Sequence, residues 1–266
     1  MSISNYHSHT TYCDGKNTAE EMILSAIEAG CAEIGFSGHS PLDFPTEWAM
    51  KKEDIPSYIS ELKALKEKYK DKIKVYIGIE QDYRSTTSTD EYEYVLGSVH
   101  HVYADGEYFE VDKSAEYTKE VIEKHFDGDP YKYCEAYYSS VKEIYNKTKC
   151  QIIGHFDLVT KFNEVLPLID TSHPRYVKAV NDALEVLLKC PAAFEINTGA
   201  ISRGYRTTPY PEDWILDKIG KNGNKFVFSS DTHSVTSVTF MLDEQKELLD
   251  KKGYSYYTSM KEIKKL

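Results

Sequence analysis

Short apolar runs alternate with amphipathic stretches along nearly the whole chain. Seven of these runs have the length and near-continuous hydrophobicity of strands that are buried on both faces. They lie at 2–7, 33–37, 73–79, 94–99, 151–154, 193–197 and 225–229. Strands that alternate with helices are parallel and are joined by right-handed crossovers. The pattern therefore predicts an α/β protein, and seven such units favour a distorted (β/α)7, TIM-like barrel over two domains.

Recognisable helix signals separate the predicted strands. Thr18 with Glu21 three residues later forms a capping box, and Gly30 ends the apolar stripe that follows. Asp129-Pro130 opens another helix, because proline at the first turn lacks a donor that would be unpaired in any case. The apolar stripes of these helices indicate packing against a common core.

One segment departs from this alternation of strands and helices. Residues 103–135 follow the fourth predicted strand, are rich in Tyr, Asp and Glu, and are too long for a plain strand-to-helix loop. A connection of this length is typical of a lid, a wall of a binding site or a disordered insertion. We therefore predict a single barrel domain over residues 1–266, with an excursion at 103–135. The sequence leaves the oligomeric state open.

Composition excludes several classes of function. Forty-three acidic against 32 basic residues give a formal net charge of −11, which disfavours a nucleic-acid surface. The five cysteines are scattered and form no Cys-x-x-Cys pair, so neither a disulfide framework nor a thiolate zinc site is expected. We see no signal peptide and no membrane-length apolar run. A cytoplasmic protein without a membrane partner is predicted.

Histidine, aspartate and glutamate collect at the carboxyl ends of six predicted strands or just beyond them. Any one of these histidines alone would be explained equally well as a structural or surface residue. The carboxyl ends of barrel strands form one rim, however, so the set is expected to converge there. It comprises His7, His9, Asp14, His39, Glu80, His100, His155, Asp231 and His233.

This ligand set predicts a polynuclear metal site. Imidazole and carboxylate without thiolate suit zinc, manganese, iron or cobalt and do not select among them. Nine ligands are too many for one ion and suit two or three. Glu80 has two carboxylate oxygens and a central position in the set, so it is the natural bridging ligand.

At these residues the chain resembles the polymerase-and-histidinol-phosphatase (PHP) superfamily of metal-dependent phosphoesterases, whose fold is a distorted seven-stranded β/α barrel. The resemblance rests on His7-Ser8-His9-Thr10-x-x-x-Asp14-Gly15, Gly38-His39, Glu80, Ser98-Val99-His100, Gly154-His155 and Asp231-Thr232-His233. Within the superfamily the chain looks most like the stand-alone histidinol-phosphatases of histidine biosynthesis. That likeness rests on Gly97-Ser98-Val99-His100-His101, Tyr108-Phe109-Glu110-Val111-Asp112 and Glu195-Ile196-Asn197-Thr198-Gly199-Ala200.

The resemblance implies a trinuclear site with three groups of ligands. The first group is His7, His9, Glu80 and Asp231. The second is Glu80, His100 and His155. The third is Asp14, His39 and His233. Many relatives have histidine where this chain has Asp14, so the third group departs from the family pattern.

The implied activity is hydrolysis of L-histidinol phosphate to L-histidinol and phosphate. We hypothesise that a hydroxide bridging two metal ions, next to Glu80, attacks phosphorus in line with the leaving alkoxide. Asp231 is expected to handle a proton as well as bind metal, and His101 or a metal-bound water to serve the leaving group.

Phosphate also requires fixed cations, and arginine is suited to a bidentate grip on it. Arg203 and Arg206 follow the sixth predicted strand, the one strand whose end lacks a metal-ligand candidate, and Lys161 follows His155. We predict that these three cations bind phosphate, although each is also explained as an exposed loop charge. The ammonium group of histidinol would need an acid, and the candidates are Asp43, Glu107, Glu110 and Asp112.

Two other functions remain compatible with the sequence. One is a PHP-type phosphoesterase that acts on a protein phosphotyrosine, a sugar phosphate, a nucleotide phosphate or an oligonucleotide end. The other is a non-catalytic module that is stabilised by metal. The complete ligand set disfavours the module, and the acidic charge disfavours a nucleic-acid substrate.

Overall fold

The computed structural model describes residues 3–266, and its main feature is one parallel seven-stranded sheet whose order follows the chain. The seven strands are β1 (Ser4–Asn5), β2 (Glu33–Phe36), β3 (Lys74–Asp82), β4 (Tyr94–Ser98), β7 (Ile152–Ile153), β8 (Ala193–Asn197) and β9 (Phe226–Ser229). Between β4 and β7, β5 (His101–Ala104) and β6 (Glu107–Glu110) form an antiparallel hairpin. All seven predicted strands are present; position 2 of the first lies outside the described residues.

The sheet closes into a barrel at the ends of its first and last strands. The backbone N–H of His9 donates to the carbonyl of Thr232 at 2.9 Å, and the N–H of Thr232 donates to the carbonyl of His7 at 3.1 Å. These bonds form a parallel bridge beyond β1 and β9. The distorted (β/α)7 barrel predicted from the sequence is therefore confirmed.

Helices cover the outside of the sheet, and the capping box of the first one is formed by Thr18 and Glu21 as predicted. Asp129 accepts from the N–H of Tyr131 at the start of the fourth helix. The helices are α1 (Ala19–Glu28), α2 (Ile55–Lys68), α3 (Ala115–His125), α4 (Pro130–Lys142), α5 (Ile144–Thr148), α6 (Pro174–Leu187), α7 (Gly199–Ser202), α8 (Asp213–Lys221), α9 (Leu242–Lys252) and α10 (Met260–Ile263).

The segment 103–135 consists largely of regular structure. It contains most of the β5–β6 hairpin, the whole of α3 and the start of α4. The indole Nε1 of Trp48 donates to Glu110 at 3.2 Å and ties the hairpin to the loop that follows β2. Within residues 3–266, no helix has the length and apolar character needed to cross a bilayer.

The end of the barrel opposite the rim is closed around a buried carboxylate. Glu33, at the start of β2, accepts from the hydroxyl of Tyr6 at 2.7 Å, from the backbone N–H of Met260 at 2.8 Å and from Lys74 at 3.0 Å. Met260 and Ile263 of α10 pack there on the apolar side chains of the strands. Both carboxylate oxygens of buried Glu33 thus have hydrogen-bond partners, and Glu33 lies at the end of the barrel opposite the rim.

Candidate metal centre and active site

The carboxyl-terminal rim of the barrel brings together all nine residues predicted as metal ligands. They form four overlapping groups, and within each group one atom of every residue lies within 4.8 Å of the others. The groups are His7, Glu80 and His155; His7, His9 and Asp231; His39, Glu80 and His100; and His9, Asp14, His39 and His233. Adjacent parallel strands supply neighbouring groups, because their carboxyl ends meet at one edge.

Glu80 lies at the centre of this cluster and is 1% exposed. Its Oε1 is 2.9 Å from Nε2 of His155 and 3.3 Å from Nε2 of His100. Its Oε2 is 2.7 Å from Nδ1 of His39 and 3.3 Å from Nε2 of His7. Each carboxylate oxygen therefore faces a different set of imidazoles, which is the geometry of a carboxylate that bridges two sites.

The strand that carries Glu80 is longer than predicted. The sequence pattern ended this strand at residue 79, whereas β3 continues to Asp82 and pairs there with Ser98. Glu80, Gln81 and Asp82 are polar, so the apolar run stops before the strand does. Inside the barrel rim, these polar side chains are nevertheless buried.

Asp231 follows β9 in a left-handed backbone conformation, with φ of 45°. Its Oδ1 is 3.2 Å from Nε2 of His9, and Arg203 donates to its Oδ2 at 3.0 Å. Gly199 makes this approach possible, because a Cβ at that position would lie 2.8 Å from Oδ2 of Asp231. Burial raises the pKa of Asp231, but Arg203 and His7 lower it more, so its pKa lies well below the ordinary range.

Asp14 closes the solvent side of the cluster, and a third of its side chain is exposed. Its Oδ2 is 3.2 Å from Nε2 of His233, and its Oδ1 is 3.6 Å from Nε2 of His39. Oδ1 is also 3.8 Å from Nδ1 of His9. The carboxylate of Asp14 therefore approaches the imidazoles of His9, His39 and His233, which are the other three members of its group.

Two further carboxylates orient the imidazoles, and neither of them was predicted from the sequence as a site residue. Nδ1 of His7 lies 2.6 Å from Oε1 of Glu195, and Nδ1 of His100 lies 2.9 Å from Oδ2 of Asp82. Such partners fix the ring and leave Nε2 free for metal. Glu195 could have been recognised from the sequence, because it is an ionisable residue inside the otherwise largely apolar strand Ala193–Asn197.

The ionised carboxylate of Glu80, the neutral imidazole of His9 and several unpaired buried atoms at the rim fit divalent metal ions. Burial raises the pKa of Glu80, but the imidazoles around it, above all those of His39 and His7, lower it well below its ordinary range. Burial, with His233 and His39, lowers the pKa of His9 to about 3, so its imidazole is neutral. Nε2 of His7, Nε2 of His9 and Oε2 of Glu80 are buried without a hydrogen-bond partner. Divalent cations satisfy such a set of lone pairs.

A cavity of about 630 Å³ opens above the cluster. Arg203 and Lys161 line it together with six of the nine predicted metal ligands, so two of the three predicted phosphate-binding cations face this space. Trp48 and two of the predicted ammonium-binding acids, Glu110 and Asp112, line it as well. The cavity thus combines metal ligands, cations and acids around one open space.

The other predicted substrate and proton-transfer residues lie away from this cavity wall. Arg206 is buried, donates to Thr160 at 2.5 Å and to the carbonyl of Thr208 at 3.2 Å, and stacks over Tyr210. Asp43 lines a different cavity, and Glu107 is exposed on the hairpin.

His101 is also absent from the wall, because it is buried against the ring of Trp48. Burial lowers the pKa of His101 to about 4, so its imidazole is neutral near pH 7. Its proposed service to the leaving group stays a prediction.

A closed β/α barrel with a His-and-carboxylate cluster on its rim defines a metal-binding barrel protein. The chain belongs to the PHP domain family, whose family model matches residues 5–199. The chain is 28% identical to a histidinol-phosphatase of Bacillus subtilis over 255 residues, which cover 88% of this chain and 94% of that protein.

Two solved structures share the fold. A Listeria monocytogenes protein assigned as a histidinol phosphatase superposes with a TM-score of 0.81 at 24% identity, covering 91% of this chain and 99% of that one. The histidinol phosphate phosphatase of Lactococcus lactis, solved with zinc, L-histidinol and phosphate, superposes with a TM-score of 0.72 at 20% identity. That match covers 97% of each chain.

Proposed function

We propose that this chain is a metal-dependent phosphomonoesterase that hydrolyses L-histidinol phosphate to L-histidinol and phosphate. The observation that carries the proposal is the position of Glu80, whose two oxygens face two sets of imidazoles. Two of these imidazoles, those of His100 and His155, line the cavity that Arg203 also lines. The names and nearly full coverage of the similar proteins support the choice of substrate.

Three groups of side chains would hold three divalent ions. They are His7, His9, Glu80 and Asp231 for the first; Glu80, His100 and His155 for the second; and Asp14, His39 and His233 for the third. When bound, such ions lower the pKa of water toward neutrality and neutralise charge on a phosphoryl group. Glu80, which belongs to two groups, would contribute one carboxylate oxygen to each of two sites.

Arg203 and Lys161 would bind the phosphoryl group. Arg203 is anchored by its contacts to Asp231 and His233, and it presents the guanidinium at the edge of the metal cluster. Lys161 is 3.2 Å from Asp112 and is held over the same cavity. Two fixed cations that need not reorganise are well suited to a group that becomes more negative in the transition state.

Glu110 would bind the ammonium group of the substrate. Asp112 is compensated by Lys161, whereas the carboxylate of Glu110 contacts the indole N–H of Trp48 and no cation within residues 3–266. Histidinol phosphate carries a phosphate and an ammonium group, and the cavity offers cations and metal ligands for one and Glu110 for the other. The indole of Trp48 donates to Glu110 and also lies 4.6 Å from the ring of His39, a predicted metal ligand.

The proposal is tested by a screen of phosphorylated metabolites with metal-depleted protein to which manganese or zinc is restored. We expect turnover only after metal is added, with histidinol phosphate preferred over a generic aryl phosphate. A preference for a sugar phosphate, nucleotide or phosphotyrosine peptide would replace the substrate and keep the reaction class. Absence of metal-dependent phosphatase activity on every ester would refute the proposal.

A further inference from the structure

A second cavity lies beside the β5–β6 hairpin. Its volume is about 450 Å³, which is within the range of small-molecule sites. Phe44, Tyr83, Arg84, Tyr108 and Lys147 are among the residues of its wall. The two cavities have no lining residue in common, so this space is separate from the metal centre.

Two cations on this wall have no acidic partner. Within residues 3–266, neither Arg84 nor Lys147 has a carboxylate oxygen within 4.0 Å. Arg175, Arg203 and Arg206, in contrast, each lie within that distance of a carboxylate. Nε of Arg84 is also buried without a hydrogen-bond partner. In a chain with a net charge of −11, two uncompensated cations on one cavity indicate a site for an anion.

Aromatic rings surround these cations. The guanidinium of Arg84 lies 4.8 Å from the ring centre of Tyr83 and 5.0 Å from that of Tyr108. Tyr108 stacks on Phe44 with ring centres 4.7 Å apart, yet Tyr108 keeps 42% of its surface exposed. The ring of Tyr103 also lies 5.1 Å from that of Tyr108, so it is the exposed edge of this aromatic cluster that a further aromatic group can contact.

The wall of this cavity also contains one acidic residue. Asp43 lies on the same wall, and its Oδ2 accepts from the hydroxyl of Thr86 at 2.7 Å. This carboxylate disfavours a doubly charged phosphate next to it and provides an acceptor for an ammonium group. Cations, an acid and aromatic faces within one cavity match the three parts of a zwitterionic aromatic molecule.

We propose that this cavity binds a free α-amino acid with an aromatic or heteroaromatic side chain. Arg84 and Lys147 would bind its carboxylate, Asp43 its ammonium group, and the Phe44–Tyr108 pair its ring. The site is independent of the proposed phosphatase reaction, because none of these residues belongs to the metal centre or its cavity.

The test is isothermal titration of the full-length, metal-loaded protein with L-phenylalanine, L-tyrosine and L-histidine, and with L-phenylalaninol, which lacks the carboxylate. We expect saturable binding of at least one amino acid and about tenfold weaker binding of the alcohol. Absence of saturable binding for all three amino acids up to about 10 mM would overturn the proposal.

Variants assign the binding to one of the two cavities. Arg84→Gln and the exposed Lys147→Gln should each weaken binding about tenfold, while Arg203→Gln in the first cavity should leave the affinity unchanged. Because the side chain of Lys147 is exposed, Lys147→Gln is not expected to disturb the fold. It therefore tests the site even if Arg84→Gln fails to fold. Loss of binding in Arg203→Gln with normal binding in both other variants would place the ligand at the metal centre and refute the proposal.

Discussion

Nδ1 of His7 donates to Oε1 of Glu195 across 2.6 Å, although the two residues are 188 positions apart in the chain. The same carboxylate accepts from the backbone N–H of His155 at 2.6 Å through its Oε2 and from the hydroxyl of Ser229. Glu195 therefore fixes the ring of His7 and the backbone at His155 together. Both residues belong to the proposed metal centre, where they approach different carboxylate oxygens of Glu80.

We expect Glu195→Gln to weaken metal binding more than it destabilises the fold. Neutral glutamine holds the imidazole less firmly in the tautomer that leaves Nε2 free, and loss of such a partner typically costs about 10–100-fold in metal affinity. Titration of the metal-depleted protein with zinc measures this change. Glu33→Gln is the matched control, because Glu33 is an equally buried acid at the other end of the barrel. Equal metal affinity in both variants would contradict the role of Glu195.

Glu80→Gln should abolish turnover and reduce the number of bound metal ions. An amide offers only one good ligand oxygen, so it does not serve two sites at once, and the imidazoles on both sides lose their shared anion. Metal analysis of the purified variant and its rate on histidinol phosphate give the two measurements. Near-normal activity would defeat the bridging role.

Arg203→Ala should raise KM for phosphomonoesters about tenfold or more. A charge-assisted hydrogen bond contributes roughly 1.5–3 kcal/mol, and the guanidinium is fixed at the cavity edge before substrate arrives. The constant for inhibition by inorganic phosphate should rise in parallel, and Arg203→Lys should recover part of the loss. Unchanged KM and phosphate inhibition would remove Arg203 from the phosphate site.

Glu110→Gln should change the choice of substrate. Since the proposed partner of Glu110 is an ammonium group, kcat/KM should fall about tenfold for histidinol phosphate and stay constant for an aryl phosphate without an amine. Glu107→Gln, on the same hairpin but exposed to solvent, is the control. A parallel loss on both substrates would show that the variant damages the cavity and would argue against ammonium recognition.

The Asp112–Lys161 pair should make stability depend on acid pH. Burial raises the pKa of Asp112, but Lys161, His100 and His39 together lower it more, so that it falls from 3.8 to about 2. A depressed carboxylate contributes stability that is present above its unfolded pKa and is lost as pH falls through its folded pKa. About 1 kcal/mol of this contribution should therefore disappear between pH 6 and about pH 3.

Urea unfolding of the metal-free protein and of Lys161→Met at both pH values measures this difference. We expect the free energy of unfolding of the variant to fall less over this range, because its Asp112 is no longer stabilised as the anion. Parallel losses in the two proteins would show that the pair does not stabilise the fold.

Much of the fold could be predicted because local pattern and barrel geometry agree. Strands buried on both faces are nearly continuous apolar runs, and the capping box at Thr18 depends only on residues three apart. The end of β3 could not be predicted, since Glu80, Gln81 and Asp82 are polar and only the surrounding rim makes them interior.

The sequence by itself determined the order of strands and helices, the kind of ligand atoms available and their place at strand ends. The tertiary structure decided which side chains share a space. Arg203 and Arg206 are three residues apart and chemically identical, yet one faces the metal cavity while the other is held by Thr160, 46 positions away. The direction of a loop side chain depends on such distant partners, and local sequence periodicity carries no information about them.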